Sequence, residues 1–155
     1  MADDGNDKDN KRFKSEPGST LSCYAVRLKP GQEIKDFLLN FVKVKKLGAP
    51  FVLSCVGSVT QATLRLANAS IDTPNEIIEV KGRHEIVSLV GTLADEGHLH
   101  ASLSDKDGNV IGGHVMGNMK VFTTAEVVIG NCDTLLFTRE TDDETGFDEL
   151  VVRGK

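Results

Sequence analysis

The sequence predicts an α+β fold in which one main helix accompanies an antiparallel β-sheet. Its 155 residues are 39% hydrophobic and 26% charged, a balance typical of one globular domain with its own core. Only residues 32–47 have clear helical periodicity, and short β-rich runs separated by Gly, Asn, Asp or Pro follow them. Because no helical pattern separates these runs, parallel crossovers are excluded and the strands are expected to pair antiparallel.

The first eighteen residues differ in composition from the rest of the chain. They consist largely of Asp, Asn, Lys, Gly and Ser, and Phe13 is the only aromatic residue among them. So little apolar surface cannot offset the conformational entropy that ordering would cost. We therefore predict a disordered tail over residues 1–18 and a single domain over residues 19–155.

The domain is predicted to open with a strand and the helix. Large apolar or aromatic side chains occupy every second position from residue 24 to residue 28, which is the period of a half-buried strand. These side chains are Tyr24, Val26 and Leu28. Apolar residues then recur at helical spacing, at Ile34, Phe37, Leu38 and Phe41. Gly48 and Pro50 supply a stop signal for this helix.

After Pro50 the chain becomes a series of short runs rich in β-branched and aromatic residues. The runs are FVLSCVGSV, TLRLA, EIIEV, HEIVSLVGTL, HLHASLS, NVIGGHV, KVFTTAEVVIG and TLLFTR. We expect each run to be a strand, and FDELVVR to form the last one. The acidic segment Asp142–Glu149 lacks EF-hand spacing, so we interpret it as a solvated loop without a functional role.

Composition narrows the class of function. The formal charge of -5 makes the whole molecule repel polyanions, which lowers the expectation of DNA binding. No GxGxxG or GxxxxGKS loop occurs, so a nucleotide enzyme is not expected. The three cysteines form no CxxC pair and are interpreted as buried, reduced thiols. No apolar leader or membrane-spanning run occurs, and we expect an intracellular protein, cytoplasmic or nuclear.

Three of the four histidines lie close together in the sequence, at His98, His100 and His114. Because side chains alternate faces along a strand, His98 and His100 point the same way, roughly 6.5 to 7 Å apart. If Gly108 is left-handed in a three-residue hairpin loop, the register sets His100 directly opposite His114. A two-residue loop would turn His114 to the other face. The glycine favours the convergent register.

Three neutral imidazoles at such distances suit one divalent metal ion, with Zn²⁺ favoured by the nitrogen donors. Three protein ligands would also leave one coordination position open, as in catalytic zinc sites. The alternative is that these histidines are interface or core residues bonded to the backbone. In that interpretation Gly112 and Gly113 merely allow close packing.

The upstream segment GRHEIVSL adds two candidate catalytic residues, Arg83 and Glu85, on one face of a strand. If that face meets the histidines, Glu85 would act as general base on a metal-bound water and Arg83 would hold an anionic substrate. An ion pair at a sheet edge or subunit contact is the structural alternative. His84 is interpreted as packed or hydrogen-bonded, not as a ligand.

The stretch GRHEIVSLVGTL followed by HLHASLSDKDGNVIGGHV resembles the PPC (plants and prokaryotes conserved) domain, also called DUF296. The resemblance extends over roughly residues 20 to 140. It implies a barrel-like antiparallel core with a flanking helix, assembled as a homotrimer. In plants, this domain follows an AT-hook in nuclear regulators and contacts protein partners through the segment that corresponds to Gly82–Val87.

Two departures from the plant pattern bear on function. The tail contains no Arg-Gly-Arg-Pro core, and His84 stands where the plant proteins usually have Phe. The fold is also similar to that of acetolactate decarboxylase and related zinc proteins, whose metal is held by an H-x-H pair and a later histidine. That similarity implies the same three ligands, His98, His100 and His114.

Three hypotheses follow. The first is a trimeric PPC-domain protein with a three-histidine metal site, serving as a regulatory or binding module, with association with DNA left open. The second is a metal-dependent hydrolase or lyase acting on a small anionic substrate. The third is direct DNA binding through the lysines of the helix and of residues 11–14, which the overall negative charge does not support.

Overall fold

The computed structural model describes residues 18–67 and 76–155, so the predicted tail lies outside the described residues except for Gly18. The described ranges contain one helix and seven strands. The helix is α1 (Ile34–Lys45), and the strands are β1 (Leu21–Leu28), β2 (Pro50–Arg65), β3 (Ile77–Thr92), β4 (His98–Ser104), β5 (Val110–Cys132), β6 (Leu135–Thr141) and β7 (Asp148–Gly154). No helix in these ranges is long and apolar enough to cross a lipid bilayer.

The main sheet has the strand order β1-β5-β2-β3-β4, and β4 pairs in addition with β5. This extra pairing closes strands β2 to β5 into a barrel. Every pairing in the sheet is antiparallel. The α+β class, the antiparallel sheet and the barrel-like core are therefore confirmed.

The long strand β5 makes the closure possible because it pairs with three other strands. Its first residues, Val110–His114, pair with β4, and its last ones, up to Cys132, pair with β1. The opposite edge pairs with β2 along most of its length. The pairing of β5 with β2 starts at His114, which lies between His100 of β4 and Arg65 of β2.

The expectation that each β-rich run forms a separate strand is wrong for three of the strands. The structure joins the runs in pairs into β2, β3 and β5, which are 16, 16 and 23 residues long. Glycines inside them have positive φ, including Gly57 at 149°, Gly82 at 95° and Gly117 at 136°. Register shifts along β2 mark the same bends. Glycine therefore bends these strands without ending them, because it tolerates a bulge that other residues resist.

Helix α1 covers the part of β5 that lies between the β4 and β1 pairings. The Glu33 carboxylate accepts hydrogen bonds from the backbone N–H of Asp36 (2.6 Å) and of Met119 (2.8 Å), so the helix start is bound to β5. Lys46, in the left-handed conformation at φ 54°, ends the helix. The helix is thus shorter than the predicted 32–47.

The core lies between α1 and the inner face of the barrel. Its largest fully buried side chains are Leu28, Ile34, Leu38, Leu64, Leu89, Leu93, Leu99, Leu103, Met119, Ile129, Val59 and Val115. Burial of the cysteines is confirmed only for Cys55, where desolvation raises the pKa of the thiol to about 12. Cys23 is exposed and Cys132 half-buried, which corrects the sequence-based expectation.

The last two strands form a separate two-stranded sheet, the C-terminal hairpin (residues 135–154). Its anchors are backbone hydrogen bonds, including one from Phe137 N–H to the carbonyl of Gly48 at 2.8 Å. Leu135 is buried, whereas Leu136, Leu150 and Val152 remain exposed. The hairpin therefore rests on the barrel by one side and extends past the end of β3 and the start of β4.

The approach of β3 to the start of β4 gives a testable prediction. Gly91 has φ 134°, and a Cβ added there would overlap the carbonyl oxygen of His98. Gly91→Ala should therefore lower the free energy of unfolding by about 1–3 kcal/mol or more, measured by urea denaturation. Gly154→Ala, where an added Cβ meets nothing within 4 Å, is the control and should change it by about 0.5 kcal/mol or less. Equal stability of the two variants would contradict this account.

Candidate metal centre

Strand β4 places two histidines on the outer face of the barrel. Leu99 and Ala101 are buried, so the alternation of the strand directs His98 and His100 away from the core. Their Nε2 atoms lie 3.1 Å apart, and their ring centroids 5.1 Å apart. The two ring nitrogens therefore already face one common point.

The turn after β4 sets the register that brings in the third histidine. Gly108 has φ 81°, and the N–H of Asp105 donates to the carbonyl of Asn109 at 2.9 Å. The pairing that follows sets His100 opposite His114. The predicted turn, its left-handed glycine and the convergent register are all confirmed.

His114 completes a cluster, the histidine triad (His98, His100 and His114). One potential ligand atom from each of the three residues lies within 4.8 Å of the others. The centroid of the His114 ring is 5.0 Å from that of His98 and 5.5 Å from that of His100. Its Nδ1 atom is buried and has no hydrogen-bond partner. A buried ring nitrogen without a partner is costly, and a metal ion is one group that would satisfy it.

Burial and neighbouring charges keep two of these rings neutral. The pKa of His114 is lowered to about 4 by burial first, and then by the charges of Arg65, the other two histidines and Lys35. Burial likewise lowers the pKa of His98, and Arg139 adds to the effect. A neutral imidazole is the form that binds a metal ion, so the donor set fits a divalent metal at neutral pH.

A cavity of about 550 Å³ opens beside the triad, between it and the C-terminal hairpin. The barrel and the loop before β4 contribute one wall, and the hairpin contributes the other. The lining residues include Arg65, His98, His114, Arg139, Phe147 and Glu149. The triad is therefore accessible from outside but partly covered by the last segment of the chain.

The structure does not bring Arg83 and Glu85 to the histidines. Glu85 pairs with Ser104, whereas His100 pairs with Val90, five residues further along β3. That spacing corresponds to roughly 16 Å along a strand. The guanidinium of Arg83 instead lies over the ring of Phe122, 4.3 Å from its centroid. The general-base and substrate-binding roles remain predictions that these positions within one chain do not support.

His84 lies away from the triad, and its Nδ1 is 3.1 Å from the carbonyl oxygen of Gly82. This contact agrees with the interpretation of His84 as a hydrogen-bonded residue. The triad and its cavity thus draw nothing from the GRHEIVSL segment.

With the fold and the triad described, the comparisons with known proteins decide the family. Residues 15–133 match the Plants and Prokaryotes Conserved (PCC) domain, the family abbreviated PPC above. The chain belongs to this family. The C-terminal hairpin follows the matched residues, so its contribution to the cavity lies outside the family match.

Two relatives with different names share the PCC domain. The chain is 41% identical over 137 residues to the bifunctional protein GlmU of Synechococcus sp. (strain JA-3-3Ab), covering 88% of this chain and 21% of that protein. It is 31% identical over 123 residues to the AT-hook motif nuclear-localized protein 13 of Arabidopsis thaliana, covering 74% and 27%. The chain therefore spans between a fifth and a third of the length of these relatives.

Two solved structures of PCC size share the fold over nearly their whole length. A hypothetical protein from Salmonella cholerae-suis is 38% identical, covers 90% of this chain and 98% of its own, and gives a TM-score of 0.82. The metal-containing protein AF0104 from Archaeoglobus fulgidus is 25% identical, with coverage of 88% and 96% and a TM-score of 0.76.

Sequence reasoning missed the residues that surround the triad. Arg65 is the middle residue of the run TLRLA, Arg139 ends the run TLLFTR, and both runs predict only strands. Phe147 and Glu149 belong to the segment interpreted as a solvated loop without a role, although both line the cavity. No local sequence pattern indicates a role for Arg65. Its position opposite His114 is evident only when β2 is paired with β5.

The neutral state of His114 can be tested directly. In metal-free protein kept in chelator, the ring proton signals of His114 should titrate near pH 4 in an NMR experiment, well below the usual value of about 6.5. Because the unfolded state takes up this proton at the higher pH, the free energy of unfolding should decrease as pH falls from about 6.5 towards 4. A His114 midpoint near 6.5 would contradict the burial argument.

Proposed function

We propose that this PCC domain is a regulatory or binding module that holds one divalent metal ion and assembles as a homotrimer. The ligands are His98, His100 and His114, and the neutral nitrogen donors favour Zn²⁺. A bound metal would supply positive charge and a Lewis acid at the outer face of the barrel.

The observation that carries this proposal is the convergence of three histidines, one of which also has a buried ring nitrogen without a partner. Imidazoles that served only to pack would be expected to bond to backbone or water. Here the Nε2 atoms of His98 and His100 instead lie 3.1 Å from each other. Support also comes from AF0104, a metal-containing protein of the same fold.

The role as a module is supported by the way the domain occurs in its relatives. Proteins named for different properties, GlmU and an AT-hook nuclear-localized protein, match the chain over a fifth to a third of their length. A domain that occurs as one part of such differently named proteins is suited to a binding or assembly task. Direct contact with DNA by this domain gains no support from its charge of -5.

An apolar patch on the outer face of the barrel supports the homotrimer. Leu53 and Val56 of β2 and Val87 and Val90 of β3 are 43–59% exposed. They lie on adjacent strands between the paired positions Val52–Gly91 and Ser58–Glu85. Contiguous exposed apolar residues on a sheet favour burial against another chain. The patch includes Val87 of the Gly82–Val87 segment, for which the family resemblance implies protein contacts.

Metal analysis tests the first part of the proposal. Protein purified without an affinity tag or chelator should contain about one zinc per chain by mass spectrometry. Loss of a residue that only hydrogen-bonds to a metal ligand typically weakens metal binding about 10–100-fold. His100→Ala or His114→Ala should weaken zinc binding by more than this, because each variant lacks a ligand itself. His84→Ala, which removes a histidine outside the triad, should leave zinc binding unchanged. Unchanged uptake in His100→Ala would overturn the assignment.

Light scattering tests the second part. The wild-type protein should elute with three times the chain mass, and Val87→Glu should reduce it towards the monomer because a carboxylate would have to be buried at the contact. Val44→Glu makes the same change at an exposed position on α1 and should leave the trimer intact. A monomeric wild type, or two variants with the same mass as the wild type, would contradict the proposed interface.

A further inference from the structure

Among the residues that the structure describes, no acidic side chain forms an ion pair with the two arginines in the cavity beside the triad. Arg65 and Arg139 line the same cavity as Asp95, Glu96, Asp148 and Glu149, yet no ion pair joins either arginine to a carboxylate of residues 18–67 or 76–155. Ion pairs within the described residues are Lys81–Glu79, Lys106–Asp107 and Arg153–Glu140. Guanidinium groups that are partly withdrawn from water usually bind a carboxylate or phosphate. Here that position is open to a ligand.

The surrounding contacts hold Arg139 in place without neutralising it. Its Nη1 donates to the carbonyl of Asp148 at 2.6 Å, and its Nη2 lies 3.5 Å from the hydroxyl of Thr92. Its Nε is buried and has no partner. Both contacts are to neutral oxygens, so the positive charge is fixed beside His98 with one donor still unsatisfied.

Arg65 is positioned by the barrel. It pairs across β2 and β5 with His114, and its guanidinium carbon lies 6.0 Å from the centroid of Phe147 in the C-terminal hairpin. The two arginines therefore approach the triad from different elements, one from the barrel and one from the hairpin. Phe147 adds an apolar surface to the same cavity.

The nearby carboxylates are already engaged or face solvent. Asp148 accepts a hydrogen bond from the hydroxyl of Thr141 at 2.7 Å, and Glu149 accepts one from Thr145 at 3.0 Å. Asp95 and Glu96 are exposed at the rim. Because the three histidines are neutral ligands, a divalent ion held by them would keep its charge, and the two arginines would add theirs. The four carboxylates keep their charges, but none of them pairs with either arginine, so an anion placed between the metal and the guanidinium groups would satisfy donors that the lining leaves open.

We propose that the cavity between the triad and the C-terminal hairpin binds a small carboxylate anion, held by the guanidinium groups of Arg65 and Arg139. A planar carboxylate matches the fork of donors on a guanidinium, and Phe147 accommodates a short apolar part of the ligand. The volume of about 550 Å³ is in the usual range for small-molecule sites. This inference rests on the proposed metal site, whose charge adds to that of the arginines.

The proposal reassigns the anion-binding role that the sequence suggested for Arg83. Arg83 stacks on Phe122 and lies outside the cavity, whereas Arg65 and Arg139 line it together with His98 and His114. The hairpin becomes part of the binding site, so a PCC domain with a different C-terminal segment would present a different cavity to its ligand.

Isothermal titration calorimetry of zinc-loaded protein tests the proposal, with pyruvate and malonate as carboxylate probes and inorganic phosphate for comparison. The wild type should bind a carboxylate probe, and Arg65→Gln or Arg139→Gln should weaken binding by about 10- to 100-fold at unchanged zinc content. Arg153→Gln is the matched control, because Arg153 lies on the same hairpin, is exposed and is paired with Glu140. It should bind the probe as the wild type does.

The outcomes separate this inference from the metal site. Wild-type protein that holds zinc but binds neither carboxylate at millimolar concentration would overturn the anion site and leave the metal site standing. Tighter binding of phosphate than of both carboxylates would overturn the ligand class. Equal loss of binding in Arg153→Gln would show a non-specific charge effect and also overturn it. Protein that takes up no zinc would overturn the proposed function and this inference with it.

If Arg139→Gln does not fold, Arg139→Lys replaces it in the experiment, because lysine keeps the positive charge but lacks the two parallel donors of a guanidinium.

Discussion

The register of the β4–β5 hairpin is the constraint on which the rest of the site depends. The Asp105 carboxylate accepts hydrogen bonds from the N–H groups of Asp107 and Asn109, both at 2.9 Å, and from the Asn109 side chain at 3.0 Å. With Gly108 left-handed at φ 81°, this network holds the turn at one length. A slip of one residue would reverse every side chain of β5 relative to β4 and remove His114 from the triad. The same pairing closes the barrel, so fold and site share one determinant.

Closure of the barrel explains why the rings become neutral ligands. Packing against β2 places His114 next to Arg65, and the C-terminal hairpin brings Arg139 close to His98. Removal from water and these positive charges act in the same direction and lower the pKa of both rings. The same two guanidinium groups would also repel a bound cation, and an anion held between them and the metal would relieve that repulsion. Metal and anion are therefore expected to support each other's binding at this site.

The site is built from two parts of the chain. The triad lies on β4 and β5, inside the residues that match the PCC domain, whereas Arg139 and Phe147 lie beyond residue 133. The barrel thus holds the ligand set on its outer face. The hairpin that covers this face contributes the second arginine and the aromatic wall, and so determines the chemistry of the cavity. Rigid strands hold the triad, while the selectivity of the cavity depends on the segment laid over it.

The sequence by itself determined the helix, the antiparallel class and the convergence of the triad, because alternation and turn chemistry act within a few residues. It did not determine where strands end, since a glycine that bends a strand has the same local pattern as one that terminates it. The failure at Glu85 has the same origin, because sharing a face on β3 does not say how far along the strand the histidines lie. Only the tertiary structure brought Arg65 and Arg139 together beside His114. That contact depends on barrel closure and on docking of the hairpin, which are long-range events that no local pattern encodes.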